Sequence, residues 1–228
     1  MRIEDLNWMD VEEYLKHDDR LMLVIGACEQ HGYLSLLSDV KIPLALADAA
    51  SKRTGILVAP PLNFGASPYF LAYPGTISLR LGTLLDAAED IVRSAYGQGF
   101  RRILVLNGHG GNNGAKIRLT ELANELAGLQ VQWYAWWMAH SVEEVAIRND
   151  IKPNHANWLE AFSFTIVSDL PEGEKVPPVV PSDVMDAKTA REIYGDGSFG
   201  GRYRFPEEAM QEIFDAVLAD ILQMLKFE

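Results

Sequence analysis

Apolar and polar positions alternate along the chain in blocks that read as strand and helix in turn. Leu21-Met22-Leu23-Val24-Ile25 is a continuous apolar run closing on Gly26, the signature of a strand buried on both faces. Ile56-Leu57-Val58-Ala59, stopped by Pro60-Pro61, and Ile103-Leu104-Val105-Leu106 repeat it, and Val131-Gln132-Trp133-Tyr134 reads as a fourth strand. Between them lie helical patterns. One starts at Ile42-Pro43, with Pro43 in the first turn, and stops at Gly55. A second follows a cap at Thr83 and buries Leu84, Leu85, Ala88, Ile91, Val92 and Ala95, ending at Gly97 and Gly99. A third, capped by Asn112 or Asn113, buries Ala115, Leu119, Leu122, Ala123 and Leu126. Short amphipathic spacing near Trp8–Lys16 opens the series, and Glu207–Leu225 closes it with Met210, Ile213, Phe214, Val217, Ile221 and Leu225 on one face.

Strands alternating with helices of this length specify a parallel sheet with helices on both faces. Residues 62–80 form a long loop rich in Gly, Pro and aromatics, of the kind that carries function. Residues 168–182 are proline-rich and read as an irregular surface loop, and Gly195–Gly201 as a flexible one. No internal repeat is evident. At 228 residues the chain is long enough for one domain with a full core, so residues 1–228 are expected to form a single unit.

Composition narrows the function. Hydrophobic residues make up 48% and charged residues 23%, an ordinary globular balance. A formal net charge of -12 argues against nucleic acid and against anionic membranes. No apolar run approaches a membrane span, no basic-then-apolar leader opens the chain, and one cysteine suits a reducing compartment. A cytoplasmic protein is expected. Cys28, beside Glu29, reads as a small buried thiol rather than a nucleophile, because no basic partner is implied next to it.

The chemistry gathers where strands end, which is where α/β proteins place their sites. After the first strand comes Glu29-Gln30-His31-Gly32, and Asp39 a little further on. On a strand, side chains at i and i+2 point the same way, so Glu29 and His31 would face one point, and they can still converge if the strand frays here into a loop. After the third strand comes Asn107-Gly108-His109-Gly110-Gly111-Asn112. This turn fails the dinucleotide fingerprint, since Asn113 occupies its last glycine position, and neither a phosphate-binding Gly-Lys-Ser/Thr nor a Gly-x-Ser-x-Gly elbow is present. Carboxylates and imidazoles together instead suit a hard-to-borderline metal. Asn154-His155-Ala156-Asn157-Trp158-Leu159-Glu160 adds another histidine and another carboxylate.

Glu29-Gln30-His31-Gly32 with Asp39, then Asn107 to Asn112, then His155-Ala156 with Glu160, in this order and spacing, resembles the creatininase (creatinine amidohydrolase) family. The resemblance implies a three-layer α/β/α domain with a mostly parallel sheet, a two-metal site at the strand ends, and homo-oligomers, often hexamers. It implies Glu29, His31, Asp39, His109 and Glu160 as metal ligands, with Asp39 bridging. Creatininase has an acidic residue where this chain has Gly111, so that ligand falls to Glu160. Two divalent ions (Zn, Mn or Fe) suit such a set. His155 is then expected to move a proton to the leaving nitrogen, close to Glu160. Gln30, Asn107 and Asn112 orient ligands or the turn rather than react. Tyr73, Thr76, Trp136 and Trp137 are candidate pocket residues. The reaction expected is hydrolysis of a C–N bond in a small cyclic or linear amide. A hydrolase of a sugar- or inositol-derived carbonyl or lactone compound, and a metal-dependent binding protein without turnover, are the other readings.

Overall fold

A computed structural model describes residues 1–182 and 184–228. Four strands, β1 (Arg20–Ile25), β2 (Leu57–Val58), β3 (Arg102–Asn107) and β4 (Gln130–Ala135), form one sheet in the order β2-β1-β3-β4. Every pairing in it is parallel, with Leu23 opposite Val105 and Val105 opposite Trp133. β2 is shorter than its apolar run because Pro60 and Pro61 follow at once and cannot donate to the ladder.

Both faces of the sheet are covered, which is why β1 and β3 read as unbroken apolar runs. On one side Met22, Val24, Leu104 and Leu106 pack beneath α2 (Ser38–Thr54), α5 (His140–Arg148) and α7 (Glu207–Met224). On the other, Leu21, Leu23, Ile25, Ile103 and Val105 meet α3 (Leu81–Gln98) and α4 (Gly114–Glu125), with α1 (Trp8–Leu15) at the margin. The result is a three-layer α/β/α fold. Among the described residues no helix is long and apolar enough to cross a membrane.

Several boundaries differ from the sequence pattern. α3 begins at Leu81 with Arg80 as an uncapped N-cap, so Thr83 lies inside the helix. α4 does begin after Asn113, but no side chain caps it. α5 and α6 (Ala187–Tyr194) were hidden by neighbouring aromatics and prolines. The proline-rich segment contains β5 (Glu174–Lys175), which pairs antiparallel with β6 (Gly201–Arg202). The Gly195–Gly201 loop is pinned rather than loose: the Lys175 ammonium reaches the Asp196 carboxylate and the Ser198 carbonyl, and the Tyr203 hydroxyl donates to Asp196 at 2.6 Å.

The change that matters most is at the start of α2. It begins at Ser38, a full turn before Pro43. Pro43 therefore has no N–H to offer the Asp39 carbonyl four residues back. That first turn wedges against the end of β3, where a Cβ on Gly108 would lie 1.8 Å from the Asp39 carbonyl oxygen. Only glycine permits this approach. Gly108→Ala is expected to cost about 3 kcal/mol by forcing backbone apart, and to lower the melting temperature by about 6–12 °C in calorimetry.

Candidate metal centre

Beyond Ile25 the chain leaves the sheet, so Glu29 and His31 are delivered by a loop and not by strand alternation. They are ordered by each other. The His31 Nδ1–H donates to the Glu29 carbonyl at 3.0 Å, which leaves Nε2 as the atom for a proton or a cation. Beyond Asn107 the turn is held by its own amides: Asn107 donates to the His109 carbonyl at 2.8 Å and accepts from the His109 N–H at 3.2 Å. Asn112 ties this turn to the first, donating to the Gly26 carbonyl at 3.0 Å and accepting from the Ala66 N–H at 3.2 Å. The His109 Nε2–H donates to the Ala66 carbonyl at 3.0 Å, so here Nδ1 is the atom for a proton or a cation.

Asp39, in the first turn of α2, sits between the two imidazoles. Its Oδ1 lies 2.9 Å from His31 Nε2 and its Oδ2 3.0 Å from His109 Nδ1. Glu160 Oε1 stands 3.6 Å from His31 Nε2, and Glu29 Oε2 3.5 Å from His109 Nε2. All five residues are buried. Two groups of ligand atoms result, Glu29 with Asp39 and His109, and His31 with Asp39 and Glu160; within each the atoms lie within 4.8 Å of one another. Asp39 belongs to both. A third group joins Glu29 and His31 to His155.

These residues fit divalent cations on chemical grounds. His31 Nε2 and Asp39 Oδ2 are buried without a hydrogen bond of sound geometry, a costly state unless a cation or proton satisfies them. The charges point the same way. Burial opposes charge on His31, but Asp39 and Glu160 outweigh it and hold its imidazolium well above the usual histidine range. Burial likewise opposes charge on His109, and Glu29 and Asp39 draw it up to about 9. Burial pushes Glu29 up to about 7 against the pull of His109. Burial would raise Asp39 and Glu160 too, but the imidazoles of His31 and His109 hold Asp39 low, and His31 holds Glu160 low. Protons on imidazole thus sit where cations would neutralise the carboxylates.

Glu160 reaches the centre from a tight turn, Trp158–Glu160, capped by the buried Asn157 side chain, which accepts from the Leu159 N–H at 3.1 Å. Its Oε2 accepts from the Ala156 N–H at 2.6 Å, which leaves Oε1 for His31 and a cation. Ala156 carries a φ of 51°, a strained conformation for a residue with a Cβ, held by this bond and the cap. Gly111, by contrast, has no room for a side chain: a Cβ there would lie 1.9 Å from the Ala66 carbonyl oxygen. A Gly111→Glu change made in a Glu160→Ala background is therefore expected to recover no metal, measured by elemental analysis.

The centre floors a cleft of about 510 Å³, walled by Tyr69, Phe70, Trp137, Pro153 and Phe199. His155 lines it as well, its ring stacked on Phe70 at 5.1 Å and tilted against His31 at 4.6 Å. Burial, with the positive charge on His31, pushes His155 down to about 4, so its ring is neutral. Of the four candidate pocket residues only Trp137 lines this cleft. Trp136 is buried in the core against Phe162; Tyr73 packs beside Phe70 in a separate cluster; Thr76 accepts the Gln30 N–H at 3.0 Å and so braces the loop. Tyr69 and Phe70 carried a signal, being in the aromatic-rich loop, but Phe199 among glycines carried none. The Cys28 thiol donates to the Gly75 carbonyl at 3.3 Å and serves packing.

Fold and site together define a three-layer α/β protein whose buried carboxylates and imidazoles, at the ends of parallel strands, could hold metal ions. The family profile described as "Creatininase: Creatinine amidohydrolase" matches residues 4–225, and the chain belongs to the creatininase family. It is 34% identical over 218 residues to the creatinine amidohydrolase of Pseudomonas putida, covering 83% of this chain and 82% of that one. It is 28% identical over 109 residues to the 3-dehydro-scyllo-inosose hydrolase of Thermotoga maritima, covering 47% of this chain and 35% of that one. It is 36% identical over 103 residues to the mycofactocin precursor peptide peptidase of Mycolicibacterium smegmatis, covering 40% of each. Among solved structures, a mutant creatininase of Zn–Zn type superposes with a TM-score of 0.82 at 23% identity, covering 99% of this chain and 96% of that one. A structure described as creatininase Mn gives 0.79 at 24%, covering 99% and 97%.

Proposed function

We propose that this chain, as one catalytic unit over residues 1–228, is an amidohydrolase that holds two divalent cations and cleaves a C–N bond in a small cyclic or linear amide. The observation that carries the reading is the placement of Asp39, one carboxylate oxygen on each imidazole at 2.9 and 3.0 Å. Glu29, Asp39 and His109 would hold one cation, and His31, Asp39 and Glu160 the other, with Asp39 shared. Three carboxylates neutralise most of the charge of two divalent ions, and nitrogen and oxygen donors suit Zn, Mn or Fe. When bound, such a pair supplies Lewis-acid polarisation of a carbonyl and a water acidic enough to attack it near neutral pH.

The chain's own residues do the rest. The Glu29 carbonyl fixes the His31 tautomer and the Ala66 carbonyl that of His109, so each presents a lone pair inward. Tyr69, Phe70, Trp137 and Phe199 give the substrate an apolar slot and exclude bulk water. The attacking water's proton ends on the leaving nitrogen, and His155, neutral and in the cleft, is placed to donate a ring N–H hydrogen bond there.

The test is metal analysis of the purified protein followed by a panel of cyclic amides, formamides, linear amides, lactones and inositol-derived carbonyl compounds. The expected result is two ions per chain and turnover of an amide, abolished by a chelator and restored by Zn or Mn. Loss of the ions should also lower the melting temperature, by about 5–10 °C for each ion held at about 100-fold over its Kd. Turnover confined to lactones or inositol-derived carbonyl compounds would transfer the site to the second reading, which the Thermotoga maritima relative favours. Metal uptake with no turnover would make it a binding protein.

A further inference from the structure

Gln30 lies between two of the metal-facing residues in sequence, yet its side chain turns away from the carboxylates and is buried. Its Oε1 accepts the Gly32 N–H at 3.1 Å. That bond decides which end of the carboxamide is which. The amide nitrogen must then be the atom 3.0 Å from the Gly197 carbonyl and 3.0 Å from His155 Nε2. It has two hydrogens. One goes to the Gly197 carbonyl, which only accepts, and the other to His155 Nε2, which must therefore also accept. A flipped amide would set oxygen against the Gly197 carbonyl oxygen and leave the Gly32 N–H facing a donor.

We infer that Gln30 is a positioning residue that locks His155 as the Nδ1–H tautomer, so that His155 meets its substrate through Nδ1 and not through Nε2. This rests on the reading of His155 as the group that meets the substrate's leaving nitrogen. With Nε2 occupied by Gln30, and no protein partner for Nδ1 among the described residues, Nδ1–H is the ring's one uncommitted polar hydrogen. The same bond removes His155 from the possible metal ligands, although it stands near Glu29 and His31. The lock is braced from outside the centre. Gly197 carries a φ of +95°, and a Cβ on it would fall 1.7 Å from Gln30 Oε1, so the loop carrying Gly197 and the Gln30 amide fit only as they are. That loop is fixed in turn by Lys175 and Tyr203 on Asp196. Phe70 and Phe199 hold the ring plane, at 5.1 and 4.9 Å.

The test reads the tautomer directly and needs no substrate. Protein labelled with ¹⁵N-histidine is loaded with zinc and examined by long-range ¹H–¹⁵N correlation, with His155 identified by the signal lost in a His155→Gln sample. The expected wild-type result is a protonated Nδ1 and an unprotonated Nε2. Gln30→Glu offers only acceptors and should invert the tautomer to Nε2–H; Gln30→Met, uncharged and similar in length, should give a mixture, and serves if the buried glutamate fails to fold. An Nε2–H tautomer in the wild type, or an unchanged His155 signal in the Gln30 variant that folds, overturns the inference. None of the three bonds uses a side-chain atom of Glu29, His31, Asp39, His109 or Glu160, so metal-free protein gives the same readout, and failure of zinc to bind would sink the proposed function without touching the tautomer lock. On the amide that the wild type turns over fastest, Gln30→Met should lower kcat by about 10–100-fold with little change in KM and no loss of metal.

Discussion

Asp39→Ala is expected to empty the site of both cations and to lower turnover by at least about a thousandfold, the scale on which metal-assisted activation of water acts. The reason is its position. Remove either Glu29 or Glu160 and the other group of ligands keeps all three members; remove Asp39 and neither group keeps more than two. Its loss also leaves His31 and His109 facing each other without the carboxylate that holds their charge, so the metal-free variant should be less stable, by about 3–5 kcal/mol for a broken buried ion pair. Elemental analysis and a melting curve separate these effects. The control is His155→Ala, which should keep its full metal content and lose about a hundred- to ten-thousandfold in rate. If Asp39→Ala keeps one tightly held ion with activity, Asp39 does not bridge.

How Asp39 comes to stand there explains what could and could not be read from the chain. β1 and β3 were legible to within a residue because a strand buried on both faces needs a continuous apolar run, and little else produces one so short. The five inward-facing residues were legible as types, since carboxylates and imidazoles at strand ends are costly unless used. The manner of their meeting was not. Pro43 looks like a helix's first turn, and on local grounds it is a good one. Yet the helix starts at Ser38, because Gly108 leaves the Asp39 carbonyl a place at the end of β3. That fit depends on two segments distant in sequence, and no window around Pro43 contains it. Phe199 and Gly197 were invisible for the same reason: a glycine-rich segment signals a loop, and bonds from Lys175, on a distant strand, and from Tyr203 make it a wall.

The pocket aromatics make the same point in reverse. Trp136 and Trp137 are neighbours in a turn, so one must face the core if the other faces the cleft; composition cannot say which. Trp136 takes the core and Trp137 the cleft. Thr76 serves the site without touching it, by holding the Gln30 N–H at 3.0 Å, and so supports the residue that orders His155.

Loading the metals should release about two protons per chain at pH 8, and metal affinity should climb steeply with pH, its slope easing above about pH 9 as His109 loses its proton. The sign follows from what the free site holds. The His31 imidazole is raised well above its usual range by Asp39 and Glu160 against the effect of burial, and His109 is raised to about 9 by Glu29 and Asp39. Both rings are therefore protonated in the metal-free chain at neutral pH, and a proton and a cation compete for the same lone pair. Each proton displaced makes the binding constant change by about tenfold per pH unit. Below about pH 7, Glu29 adds a third competing proton, since burial lifts its carboxyl to about 7. Affinity should thus fall faster on the acid side than the two histidines alone would require. Calorimetric titration of the chelator-stripped protein with Zn, in buffers of different ionisation enthalpy, counts the protons at each pH. Proton release near zero at pH 8 would mean that the imidazoles are already neutral, and that Asp39 is not the carboxylate that charges them.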